Sequence, residues 1–270
     1  MQSESPTSFQ LTPLNIFSSL ITSRIVATLS ALAVIGIGCS AGVWQLNRAE
    51  QKITLGDSLA SKLAMPVLNA NTENLTLEDA TERRITVRGR FLVDEAVWLE
   101  NRPRPLPTPG SNSAQAGFYL MMPLSLDDQK RVLWVNRGWA PRNNENRVQL
   151  PPISTPDSYV TVEGIAFSHP GRVYELGRQD EPVSKPRIEQ NFYLAKEAAR
   201  HDWVQLPFIL RESGSDKNDG LVRNWPSPTN GIDRHYAYAF QWFALAASGF
   251  LFWFISGLIQ YRRQRKDFGD

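Results

Sequence analysis

Cysteine is almost absent from this chain of 270 residues, and Cys39 is the only one. No internal disulfide can form, and no cysteine-based zinc site or CxxC redox pair can be built. Histidine is nearly as scarce, with three copies: His169, His201 and His235. His169 stands before Pro170 and Gly171, a turn context, and His201 ends a short helical stretch, where an imidazole caps the helix dipole. Neither has carboxylates or histidines at metal-ligand spacing. GxSxG, HExxH, Walker and GxGxxG segments are missing. Strong net charge is missing as well: +2 is too little to suggest a nucleic-acid partner. The expectation is a protein that is not an enzyme, although acids and hydroxyls are numerous enough for a site assembled in space.

Charge of either sign is absent from two long runs, residues 25–44 and 236–261. A helix of about 20 residues rises about 30 Å, the thickness of a bilayer's hydrocarbon core. Both runs therefore read as membrane spans. The first is longer than a signal-peptide core, although Cys39, Ser40 and Ala41 supply the small residues of a cleavage point. Arg262, Arg263, Arg265 and Lys266 follow the second run directly. Short basic segments stay cytoplasmic, so both termini are expected inside and the intervening chain outside. The N-terminal tail is not Arg-rich, which favours a bacterial inner membrane over an organelle. The resulting division is a cytoplasmic tail (1–24), a first transmembrane helix (25–46), a periplasmic domain (47–234), a second transmembrane helix (235–261) and a basic cytoplasmic tail (262–270).

The middle domain reads as short strands punctuated by proline and glycine. Residues 84–93 alternate early, and 97–101 follow a short Asp94-Glu95 turn, as in a hairpin. Residues 118–124 and 131–139 form a second hairpin, and 159–167, 191–194 and 203–210 are further strands. Helix is expected at 49–63, continuing the first span, and at 194–201. Loops are expected at 102–115, 141–157 and 214–220. The fold class is membrane α+β: two transmembrane helices flanking a mainly antiparallel β domain, a sheet or partly closed barrel, with a few short helices. In the strand at 131–139, Val135, Arg137 and Trp139 share the parity of Leu133, and Asn136 and Gly138 have the other. Arg137 conflicts with burial unless a bulge at Gly138 re-aims it. It is either a structural arginine paired with an acid, the favoured reading, or a surface group that docks a partner.

Gly38 and Gly42 make a GxxxG spacing in the first span, and Ala244, Ser248 and Gly249 are small positions in the second. Such residues let helices approach closely in lipid. His235 opens the second run and is followed by Tyr236, Tyr238, Phe240, Trp242 and Phe243. An aromatic belt at the membrane interface explains these rings. A neutral imidazole beside aromatics is also what an amphipathic porphyrin needs: His235 would ligate iron, with Tyr238 and Trp242 on its helical face.

Three segments carry a resemblance. Residues 41–52 (AGVWQLNRAEQK) resemble the GxWQxxRxxxK stretch of the surfeit-locus-one family, assembly factors for haem-copper cytochrome c oxidase. Residues 135–141 (VNRGWAP) are similar to its VNRGW(V/I)P segment, with Ala140 in place of a branched aliphatic. Residues 235–243 (HYAYAFQWF) resemble its HxxYAxxWF opening of the second span. The resemblance implies an assembly role and a transient haem a cofactor with His235 as its iron ligand and only metal contact. It implies oxidase subunit I and the haem a synthesis machinery as partners. Arg48, Arg137 and Trp139, which lie in these motifs, become candidates for contact with a partner or with haem propionates. Two roles stay open: a haem-handling chaperone, and a scaffold that stabilises an oxidase intermediate without haem.

Overall fold

The computed structural model describes residues 24–105, 115–143, 145–146, 149–174, 185–214, 218–227, 229 and 231–267, the last four by backbone alone. The tail before residue 24, most of the loop at 102–115, the centre of the loop at 214–220 and the end of the basic tail lie outside the described residues. The elements in chain order are α1 (Ile25–Ala64), β1 (Leu68–Asn69), α2 (Leu77–Ala80), β2 (Arg84–Phe91), β3 (Val97–Pro103), β4 (Ala116–Leu126), β5 (Arg131–Pro141), β6 (Val160–Phe167), β7 (Arg187–Glu189), α3 (Leu194–Arg200), β8 (Val204–Glu212) and α4 (Ile232–Asp267). They fall into two compact units. One combines Met1–Leu55 with Pro228–Asp270, and the other is Gly56–Ser227.

The first unit is a pair of helices, α1 of 40 residues and α4 of 36. Each holds a window long and apolar enough to cross a membrane. They pack antiparallel, since partners climb one helix as they descend the other. Arg24 donates to Ser256 Oγ at 3.1 Å, and His235 meets Gln45 at 2.8 Å near the other end. The seam follows residue size. A Cβ added to Gly38 would lie 2.9 Å from that of Ala246, and one on Gly42 would lie 2.6 Å from the Phe243 ring. On α4 the buried residues Ala239, Ala246 and Trp253 recur every seven positions, the period of a supercoiled pair. The GxxxG expectation holds on α1. On α4 only Gly249 of the expected small positions reaches the seam, against Val34. Ala244 and Ser248 lie on the exposed side, because the heptad phase set by Ala239 and Ala246 turns them away. The outward surfaces are apolar: Val26 is 79 % exposed and Phe240 and Phe252 are each 74 % exposed. Apolar surface of that extent is suited to lipid rather than water.

The second unit is built on an eight-stranded sheet in the order β1–β2–β6–β8–β5–β4–β3–β7. Pairing of residues 89–91 with 124–126 joins β2 to β4 and closes β2, β6, β8, β5 and β4 into a ring. A closed ring must contain an even number of antiparallel neighbours, so one with five strands needs a parallel pair. Here it is β5 with β8, and the other four ring contacts are antiparallel. At the closure the backbones touch so closely that a Cβ on Gly89 would lie 2.4 Å from Ser125 O. Inward side chains fill the ring, among them Val87, Phe118, Leu124, Leu133, Val162 and Phe208. A second apolar cluster covers part of the outer face with Val97, Leu99, Met121, Trp134, Phe192 and Ile209. β5 is thus buried on both faces, which is why its sequence lacks polar alternation.

The β4–β5 hairpin forms as expected. The hairpin expected between 84–93 and 97–101 does not form. β2 and β3 instead follow one another along a single edge of β4, β3 against 116–121 and β2 against 124–126. The 3-10 turn Val93–Glu95 carries the chain between them. The strand expected at 191–194 is absent. Pairing occurs earlier, in β7, and Leu194 already opens α3. His201 is the C-cap of α3 as expected, but through its backbone N–H to Glu197 O rather than its imidazole, whose ring stacks on Trp203 at 3.8 Å. α2 was not anticipated, yet its signal is in the sequence. Thr76 and Asp79 form a capping box, each side chain bonding the other's backbone N–H.

Candidate functional site

Sequence singles out residues in both units, and the structure gives them different duties. In the helix pair, His235 stands in the first turn of α4 and is half-buried. Its Nδ1 lies 2.8 Å from Gln45 Oε1 on α1. A carboxamide oxygen can only accept, so Nδ1 is the donor in this contact and Nε2 is the ring nitrogen left for another partner. Among the described residues Nε2 has no hydrogen-bond partner. Tyr238, 51 % exposed, and the half-buried Trp242 follow at helical spacing. Across the seam Gln45, rather than Trp44, meets the imidazole; Trp44 is 54 % exposed, with the Arg48 guanidinium 5.7 Å from its ring centroid. Arg48 also donates to Gln51 at 2.9 Å on its own helix. Sequence reasoning passed over Gln45. Its signal was a polar residue at the buried phase of an apolar span, seven residues after Gly38 and four before Ala49.

In the barrel, Arg137 and Trp139 are 2 % and 1 % exposed. The register between β4 and β5 slips at this point: Leu120 pairs with Gly138 and Met121 with Asn136, leaving Arg137 as the extra residue of a bulge. Gly138 takes φ +146°, a conformation open to glycine and strained for other residues. The bulge also resets the parity. Trp139 now shares the outer face with Tyr119, its register partner, instead of the inner face of Leu133. The expectation that both face one way is corrected by that extra residue. Trp139 donates its indole N–H to Arg102 O at 2.9 Å, and its backbone pairs with Val222.

Arg137 enters a buried ionic network. It donates to Asp219 at 3.1 Å, to Thr155 Oγ1 and to Ser154 O, and its Nε lies 3.9 Å from Glu212. Arg223 grips both oxygens of Asp219 and reaches Glu212 at 3.4 Å. The Arg137 guanidinium also lies 4.6 Å from the Phe91 ring centroid. Two cations and two carboxylates balance in charge. Burial pushes Arg137 below its ordinary value, against the pull of Glu212 and Asp219. Burial pushes the Asp219 carboxyl up, but hydrogen bonds and charge from Arg223 outweigh it and hold the group below its usual range. A cavity of about 330 Å³ adjoins the network, lined by Phe91, Val160 and Thr161 as well as the charged groups. The reading of Arg137 as a structural arginine paired with an acid is the one the geometry matches. Its acids, on β8 and on the loop beyond, were not anticipated.

The comparisons with known proteins take up these same segments. The SURF1 family model matches residues 32–247, a span that includes Gln45, Arg137 and His235. The chain belongs to the SURF1 family. A SURF1-like protein of Rickettsia bellii is 26% identical over 223 residues, which cover 77% of this chain and 80% of that one. The human Surfeit locus protein 1 is 26% identical over 226 residues, 79% of this chain and 71% of its own length. The Arabidopsis thaliana Surfeit locus protein 1 is 24% identical over 264 residues. The family match therefore runs through both helices and the barrel rather than through one motif.

Proposed function

We propose that this SURF1-family protein is an assembly factor for haem-copper cytochrome c oxidase, holding haem a transiently at His235 while subunit I matures. Its partners are then subunit I and the haem a synthesis machinery. The observation that carries the reading is the imidazole held by Gln45 at 2.8 Å at one end of an apolar helix pair. A histidine that binds iron through one ring nitrogen commonly donates its other N–H to an oxygen, which fixes the tautomer and the ring plane. His235 has that arrangement, so the residues fit the group. Haem a would bring the iron that the mature oxidase uses in electron transfer and oxygen chemistry. The chain's own contribution is positional. Gln45 orients the imidazole through Nδ1 and leaves Nε2 as the nitrogen that would face the iron, and Tyr238 and Trp242 offer aromatic faces to a macrocycle. The apolar flanks of α1 and α4 support a position for this end at a membrane surface. The basic cluster after α4 supports a reading with both termini in the cytoplasm and residues 47–234 on the periplasmic side of a bacterial inner membrane.

The test is the absorption spectrum of protein purified from membranes that make haem a, together with oxidase assembly in a deletion strain. Bound haem should be present in the native protein and reduced in His235→Ala. Gln45→Leu should weaken binding less, because the ring stays but loses its orientation. The deletion should lower haem-loaded oxidase while subunit I is still synthesised. Unchanged haem in His235→Ala with impaired oxidase in the deletion would instead support the scaffold role. Normal oxidase in the deletion would remove the assembly role itself.

A further inference from the structure

Arginines in the barrel divide into two kinds. Arg131, Arg137, Arg187 and Arg223 each meet a carboxylate, with Arg187 gripping Glu197 in bidentate fashion. Arg102 and Arg211 meet none among the described residues. Arg102, 2 % exposed, donates among the described residues to neutral oxygens: Gly171 O, Gln190 O and Asn191 Oδ1. The Arg211 side chain makes no hydrogen bond or ion pair among the described residues, and its Nε is buried without an acceptor.

Each lies against aromatic rings, Arg102 on Tyr119 and Arg211 on Phe167 and Trp225. The Arg102 guanidinium is 5.6 Å from the Tyr119 centroid. Arg211 lies 4.2 Å from the Phe167 centroid and 5.2 Å from that of Trp225, and Trp225 packs edge-on to Tyr119 at 5.4 Å. Trp225 is fixed in turn by its indole N–H to Glu212 O at 2.9 Å. The Glu212 side chain points into the ring, away from Arg211, because neighbours on a strand face opposite ways. Asn136, the register partner of Arg211 on β5, is 1 % exposed. Its oxygen accepts from Gly138 N, and its Nδ2 is buried with no acceptor. Burial holds both guanidinium groups below their ordinary value.

A buried cation without a counter-charge is costly, and so is a buried donor without an acceptor. Here half-buried Arg211, with no carboxylate partner among the described residues, and the unused amide donor of its register partner Asn136 lie beside one aromatic patch. The Phe167 and Trp225 rings both contact the Arg211 fork, whose planar donors suit a planar oxyanion.

We infer that the Arg211 patch, framed by Phe167, Trp225 and Tyr119, is a binding site for a carboxylate supplied from outside the chain. The source is either a free small acid or an acidic side chain on a polypeptide. The site is independent of the haem reading, since it uses none of the residues assigned there.

The test is equilibrium binding to the full-length protein in neutral detergent at low salt. The probes are sodium benzoate and a blocked glycine-serine peptide with one central glutamate. A matching peptide with glutamine in its place serves as control. The native protein should bind the glutamate peptide and not the glutamine one. Arg211→Gln should weaken that binding by about tenfold or more, the size of one charge-assisted hydrogen-bonding contact. Arg211→Met keeps the aliphatic stem between the two rings, preserves the fold and should show the same loss. Benzoate and peptide binding equally well assigns the site to free acids, and peptide binding alone assigns it to a docked polypeptide. Failure of both probes to bind, or unchanged affinity in both Arg211 variants, overturns the inference.

Discussion

Replacing Asp219 with alanine should destabilise the barrel more than any single surface change. Asp219 accepts from Arg223 through both oxygens and from Arg137 at 3.1 Å, and its side chain is 8 % exposed. Its loss leaves Arg137 and Arg223, 3 % and 0 % exposed by side chain, to share Glu212 alone. Breaking a buried ion pair by removing one partner costs about 3–5 kcal/mol, because the remaining charge stays desolvated. For a unit the size of Gly56–Ser227 each kcal/mol moves the thermal midpoint by about 2–4 °C. The expected fall is therefore roughly 6–20 °C. The assay is thermal unfolding of the full-length protein in detergent, followed by near-ultraviolet circular dichroism. A second arm removes both partners in Asp219→Ala/Arg223→Met. The double variant should recover part of the loss, since no unpaired guanidinium remains at that position. Acid gives a third arm. The folded carboxyl sits below its unfolded value of about 3.9, so its contribution is complete above that pH and is lost as pH falls beneath it. Asp219→Ala should flatten that part of the acid profile. A shift under about 2 °C in the single variant would refute the network as a stabilising centre.

Three further outcomes follow from geometry already given. Gly138→Ala should cost about 1–3 kcal/mol, because φ +146° strains a side-chain-bearing residue and the new Cβ would lie 3.0 Å from Leu221 Cβ; urea unfolding measures it. Asp128 closes the β4–β5 turn through the backbone N–H groups of Lys130 and Arg131 and through Arg131 Nε. Although burial raises its carboxyl, those hydrogen bonds bring it down to about 2, so its contribution is full above about pH 4 and fades towards pH 2. Asp128→Asn should remove that component of an acid titration. A disulfide between Val34→Cys and Gly249→Cys, in a Cys39→Ser background, should form readily in the native pair. Adding Gly42→Leu should suppress it, because the added side chain meets the Phe243 ring.

The parts of this fold legible in sequence are those that a short window decides. Two uncharged runs gave α1 and α4, alternation around a polar turn gave the β4–β5 hairpin, and a GxxxG spacing gave half of the helix seam. What escaped depends on distant partners. β2 and β3 resembled a hairpin because each alternates, but β4 is long enough to take both along one edge. Trp139 was placed on the wrong face by one inserted residue, even though Gly138 had signalled a bulge. Asp219 and Arg223 lie on an irregular stretch beyond β8 with no periodicity to mark them, and Arg211 resembles any exposed strand arginine. His235 was visible through the motif it opens. Gln45 was not, because the α1–α4 phase that pairs them appears only when the helices are packed.

The single parallel neighbour in the ring also bears on how the domain is made. β8 lies between β5 and β6, and more than sixty residues of chain separate it from β5. Until β8 emerges, both of those strands expose an unpaired edge, and β5 presents buried-type side chains on either face. The barrel cannot close hairpin by hairpin from its N-terminal end, and its final stitch joins segments far apart in sequence, a slow step for any chain. β8 is also the last strand before α4. Closure of the barrel and arrival of the second apolar helix are thus consecutive events in synthesis. A chain stopped before residue 204 would carry two sticky edges, with neither its last strand nor its second apolar helix.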